Sequence, residues 1–141
     1  MAEKKDEEQL KVVFSFLLMY KHVPFIYYGD EIGMQGRSDP FNRYPYPWGK
    51  EDKDMLSFFK KAGIVRKNSL ALTRGDTEIL CADGGVFAIR RSFCKNSLLA
   101  VSFAAGGEYA VKGKYTDLLT NQKFVNKIYS NSPATFILQE E

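Results

Sequence analysis

The sequence predicts an α+β fold: two N-terminal helices and a short strand packed on a C-terminal antiparallel β-sandwich. Three observations predict it. Leu10, Val13, Phe14, Leu17 and Leu18 recur at helical spacing, and Met55, Phe58, Phe59, Ala62 and Val65 do so again. Between them, Phe25–Tyr28 is a short, continuous, β-prone run of the kind that suits a strand buried on both faces. From Gly75 onward the helical period disappears, and short alternating runs separated by turn residues take over. The chain therefore divides near Thr73, into a first part over 1–73 and an all-β part over 74–141.

Each element has its local reason. The first helix carries Val12, Phe16 and Met19 on its other sides, so it expects cover on more than one face. It should stop near His22, because Pro24 biases Val23 away from helical angles. His22 reads as an ordinary turn residue. Gly29 ends the short strand, and 29–50 follows as a long irregular loop carrying Pro40, Pro45 and Pro47. Loops of that length in a compact unit are functional or disordered, and the aromatics Phe41, Tyr44, Tyr46 and Trp48 argue for order. Asp52 or Asp54 can cap the second helix, which should end near Asn68 with Arg66 and Lys67 complementing its dipole.

In the β part, Thr77–Ala82 and Val86–Arg91 flank Asp83-Gly84-Gly85, a hairpin turn in which glycine supplies positive φ. Ser97–Phe103 turns Leu99, Val101 and Phe103 inward. Tyr109–Lys112, Tyr115–Leu119, Lys123–Ile128 and Ala134–Leu138 follow at short spacing, as in a sandwich. Arg90 and Arg91 are expected at a strand end, in solvent.

Composition excludes several classes. At 45% hydrophobic and 14% aromatic residues the chain can bury a core. The net charge of +3 is small and the charges are interspersed, so no nucleic-acid footprint is present. The mixed run ending at Glu8 reads as a solvated lead-in to the first helix. Cys81 and Cys94 make no disulfide framework, and neither clusters with the single histidine, His22, so no zinc site is expected. No segment reaches the roughly 20 apolar residues of a membrane span, and no signal peptide opens the chain, which leans the reading toward the cytoplasm.

The junction at 23–48 carries the chemistry. A strand emptying into a loop of acids, bases and aromatics is where α/β folds place ligand sites. Asp39 and Arg43, in Asp39-Pro40-Phe41-Asn42-Arg43, suit sugar hydroxyls: a carboxylate accepts hydrogen bonds and a guanidinium donates several in a fixed fork. The same two residues also suit a plain loop-stabilising ion pair. Tyr44, Tyr46 and Trp48 offer faces for sugar stacking, or pin the loop to the core. Asp30 and Glu31 are adjacent carboxylates, but neighbours at a strand end point in different directions, so they read as hydrogen-bonding groups that shape the loop.

These residues resemble a known family. Pro24–Met34, PFIYYGDEIGM, and Asp39–Trp48, DPFNRYPYPW, are similar to the eighth barrel strand and following loop of the α-amylase family of glycoside hydrolases (family 13), nearest its neopullulanase, amylopullulanase and cyclomaltodextrinase group. Asp54–Leu72 resembles the last barrel helix, and Asp76–Leu138, with Asp117–Gln122 (DLLTNQ), the C-terminal β-sandwich. The resemblance implies that 1–73 is a remnant of the end of a (β/α)8 barrel, including a remnant barrel strand. It implies that Asp39 and Arg43 are substrate-binding, with Tyr46 and Trp48 as candidate stacking groups. The family's three catalytic carboxylates lie on earlier barrel strands, so no catalytic residue is assigned here and the chain alone is expected to be inactive. No cofactor or metal is expected. Expected partners are an α-glucan or malto-oligosaccharide, and a second copy of the chain through the surface a barrel would cover. The alternative is an α-glucan-binding or purely structural module.

Overall fold

A computed structural model describes residues 4–36, 38–40 and 43–141, with side chains described from 7 onward. The fold is mixed α+β, as the sequence predicts. In chain order the helices are α1 (Lys4–Met19), a 3-10 turn (Asp30–Ile32), α2 (Lys53–Asn68) and α3 (Leu70–Arg74). The strands are β1 (Asp76–Asp83), β2 (Val86–Phe93), β3 (Asn96–Phe103), β4 (Gly107–Asp117), β5 (Lys123–Ser130) and β6 (Ala134–Glu140).

Helix α2 begins where its cap dictates. The Asp52 carboxylate accepts from the backbone N–H groups of Asp54 and Met55 at 2.9 and 2.8 Å, satisfying two of the donors left open at a helix start. Ser69 then caps α3 by accepting from Leu72 N at 3.2 Å. The five-residue α3 is an addition to the predicted elements.

The six strands form one antiparallel sheet in the order β1-β2-β3-β6-β4-β5. The two strands expected at Tyr109–Lys112 and Tyr115–Leu119 are the single strand β4, whose pairing to β5 shifts register between Ala110 and Lys114. Gly113 supplies φ +102° at that irregularity, a left-handed conformation that L side chains rarely adopt. β4 pairs β6 only over Tyr115–Asp117. Its earlier half swings over, and Tyr109 and Val111 pack on the same cluster as Leu80 of β1. The sheet thus curls on itself like a sandwich. Its inner core is Ala88, Leu99, Val101, Phe103, Phe124, Ile128, Phe136 and Leu138.

The opposite face of β2, β3 and β6 presents Ile89, Leu98, Ala100 and Ile137, which close on Met19 of α1 and on Ala71 and Leu72 of α3. β3 is therefore buried on both sides. A third cluster joins the helices: Phe14 meets Phe59 edge-on at 4.7 Å between ring centroids, beside Met55 and Phe58. So Val65 turns α2 toward the sheet side, whereas Phe58 and Phe59 face α1.

One expectation fails. Val23–Tyr28 belongs to no sheet, and Phe25 is 82% exposed instead of buried on both faces. Sheet structure requires a hydrogen-bonded neighbour, and none of the six strands runs beside this segment. The helix before it does find cover from two neighbours, the sheet through Met19 and α2 through Phe14, but not all round. Phe14, Leu18 and Met19 are buried, while Leu10, Val13 and Leu17 stay exposed.

Candidate functional site

The loop is built from its own backbone outward. Gly29 takes φ +93°, and a Cβ there would come within 2.7 Å of Met34 Sδ. Gly29 O accepts from Ile32 N and Met34 N at 3.2 and 2.9 Å, which closes the 3-10 turn. The two adjacent acids hold that turn: Asp30 accepts from Tyr27 N at 3.0 Å, and Glu31 from Gly29 N at 2.8 Å. Both carboxylates are thereby occupied in shaping the chain, as their neighbouring positions predict. The Glu31 carboxylate also acts on the Tyr46 phenol, which relates the start of the loop to its end. Burial, and then the Glu31 carboxylate, push the Tyr46 phenol above its ordinary range. Tyr28 adds a tie, its hydroxyl donating to Tyr44 O at 3.2 Å. Near the loop's end Glu51 accepts from Gly49 N at 3.0 Å, a bond that draws its carboxyl below the usual carboxylate range.

The residues singled out in the sequence lie on this frame in two pairs. Arg43 grips Asp39 with both arms, Nε to Oδ1 at 3.0 Å and Nη2 to Oδ2 at 3.2 Å. Both side chains are well exposed, at 70% and 62%. Tyr46 and Trp48 lie 4.5 Å apart between centroids at an interplanar angle of 47°, and Trp48 is 82% exposed. No hydrogen bond, ion pair or ring contact links the first pair to the second among the described residues. Phe41 and Asn42, inside the same stretch, lie outside the described residues.

An exposed ion pair contributes about 0–1 kcal/mol, so the Asp39–Arg43 fork is a weak staple. What it provides is a planar, pre-oriented array of acceptors and donors facing water. The indole beside it in sequence offers a bare apolar face. Among the described residues no cluster could hold a metal ion, and no helix is long and apolar enough to cross a membrane.

A second polar centre lies where no site is expected from the sequence. Arg91, expected in solvent, is 1% exposed. Its guanidinium donates to Met19 O at 2.5 Å, Leu72 O at 3.1 Å and Gly75 O at 2.8 Å. These are carbonyls at or near the ends of α1 and α3, which lack intrahelical donors. Arg66 of α2 donates to Leu18 O, and to His22 O at 2.8 Å, so the end of α1 is held from two sides. Burial draws both guanidinium pKa values down, and Arg66 beside Arg91 adds to the fall there. The alternation of β2 carries the signal: Arg91 shares its face with Phe87 and Ile89, so the strand turns it inward.

Comparison with known proteins gives the class. An amylopullulanase of Thermoanaerobacter thermohydrosulfuricus is 44% identical over 84 residues, 60% of this chain and 6% of that protein. A cyclomaltodextrin glucanotransferase of Geobacillus stearothermophilus is 32% identical over 119 residues, 84% of this chain and 17% of that protein. Among solved structures, a cyclomaltodextrinase superposes with a TM-score of 0.82 at 25% identity, over 96% of this chain and 26% of that one. No family model matches the chain. Curled sheet, helices and loop thus define a piece of an α-amylase-type scaffold. The chain matches the C-terminal part of an α-amylase family enzyme (glycoside hydrolase family 13), with amylopullulanases, cyclomaltodextrinases and neopullulanases among its relatives. It spans less than a fifth of the length of the curated relatives described here.

Proposed function

We propose that this chain supplies one rim of the sugar cleft, and the β-rich C-terminal part, of an enzyme that hydrolyses α-glucosidic bonds with retention. Residues 1–73 would be the end of a (β/α)8 barrel and 74–141 the β domain behind it. The observation that carries this reading is the similarity over 84% of the chain to an enzyme whose name specifies cyclomaltodextrin chemistry. In this reading Asp39 and Arg43 contact glucose hydroxyls, and Tyr46 and Trp48 present aromatic surface to the sugar ring. The chain alone breaks no bond. Retaining hydrolysis needs two carboxyls roughly 5 Å apart across the scissile bond, and Asp30 and Glu31 are engaged with backbone N–H groups instead.

The test is kinetic. The chain alone should give no turnover of a chromogenic maltoside; turnover by pure protein would overturn the reading. In a longer protein that contains this chain and hydrolyses the maltoside, Arg43→Ala should raise KM or lower kcat/KM by about ten-fold or more, since a charged hydrogen bond contributes about 1.5–3 kcal/mol. Unchanged kinetics would remove Arg43 from the site. A binding module without catalysis is the second reading. It is favoured by the bareness of Trp48, and saturable maltotriose binding by the isolated chain would support it.

A further inference from the structure

The curled sheet has an open end. Cross-strand neighbours share a face, and the pairing Arg90↔Leu99↔Leu138 therefore places Arg90 on the inner side of the sheet, in the same cross-strand row as the core leucines. Two residues further along β6, Glu140 pairs with Tyr115 of β4. The swung-over half of β4 brings Tyr109 and Val111 across from Leu80. Together these residues line an open depression of about 660 Å³ at the mouth of the curl. None of them belongs to the 29–50 loop. The volume falls within the roughly 300–1,000 Å³ of small-molecule sites, and the mouths of barrel-like sheets are a recurrent place for them.

We propose that this mouth binds a small neutral sugar, a mono- or disaccharide, independently of the loop. The walls set the ligand class. Leu80, Leu99 and Val111 give an apolar floor for the C–H face of a ring. Neither tyrosine hydroxyl has a hydrogen-bond partner among the described residues, so each is available to donate and to accept. Burial pushes both phenols above their ordinary range, which keeps them protonated donors. The charges cancel. Arg90 is already bound to Glu78 at 3.1 Å, and Lys112 on the rim is matched by Glu140. A balanced rim has no preference for an anion such as a phosphate, and a polar rim disfavours a purely apolar ligand. A polyol with one apolar face satisfies floor, hydroxyls and rim together.

The experiment is an amide NMR titration of the full chain with maltose, carried to tens of millimolar. Saturable shifts at Leu80, Arg90 and Tyr109–Tyr115 are expected, with affinity weakened about five-fold in Tyr109→Phe and in Arg90→Gln. Trp48→Ala should leave these shifts unchanged. Two variants guard against a folding defect in either one, and both keep the shape of the wall. Shifts confined to Asp39–Trp48 would overturn the mouth site while leaving the loop reading intact. Shifts confined to the mouth would support it and would remove only the reading of the isolated loop as a binding module. No saturable shift at the mouth, or wild-type affinity in both variants, would end the proposal.

Discussion

A guanidinium buried beside a sheet is costly unless its donors are met, because removing a charge from water forfeits its hydration. Arg91 meets the requirement with three carbonyls from two helix ends and the turn between α3 and β1. Its Nε stays without a partner among the described residues, as does Thr77 Oγ1, which faces it across the β1–β2 ladder. Removing the side chain leaves the three carbonyls dry and unbonded. Arg91→Met should therefore lower unfolding stability by on the order of 3 kcal/mol in urea denaturation. Arg91→Lys should recover only part of it, because an ammonium is a single point of donation where the guanidinium is a fork. Equal stability of Met and wild type would show the carbonyls to be satisfied some other way. Gly75 next to this centre is constrained too: a Cβ there would clash with Ala71 O and lie 2.7 Å from Ser92 O.

Element by element, what the sequence revealed follows from what determines each piece. The extent of α2 was legible because local chemistry sets it: Asp52 caps its start and the apolar stripe runs to its last turn. Asp52→Ala should cost about 1 kcal/mol, seen as a lower midpoint in thermal unfolding followed by circular dichroism. An unchanged midpoint would mean that packing alone fixes the helix start. The strands from Asp76 onward were legible from their turns and alternation. The β4 division was not, because a bulge centred on a left-handed glycine resembles a break in the pattern. The segment 23–28 departs from the expected strand for a different reason. β-propensity describes how well a side chain fits a pleated, packed surface, and Phe25 and Val23 have no such surface here. At the site, Asp39 and Arg43 were legible as a pair, but the Glu31–Tyr46 interaction joins residues too far apart in sequence for spacing to expose it.

For the molecule as a whole, the unbalanced quantity is apolar surface. Leu10, Val13 and Leu17 form an exposed stripe on α1, and Val23 and Phe25 are 90% and 82% exposed. Burying such a side chain is worth about 1.5–3 kcal/mol. In the proposed reading this surface lies against the rest of a barrel in a longer enzyme. For the isolated chain we propose that two copies bury it together. Light scattering coupled to size exclusion should then report a mass near twice 16.1 kDa, and Val13→Glu with Leu17→Glu should return the monomer. A monomeric wild type at high micromolar concentration would rule the pairing out.

The double burial of β3 carries one more implication. The outer sheet face that receives Met19, Ala71 and Leu72 has Ile89, Leu98, Ala100 and Ile137 at its centre. Excising the β-rich half at Asp76 would strip that face bare and strand a cation in the middle of it. Such a piece would be sticky and hard to keep in solution, so anyone transplanting the β half onto another protein must carry the preceding helices along as its lid.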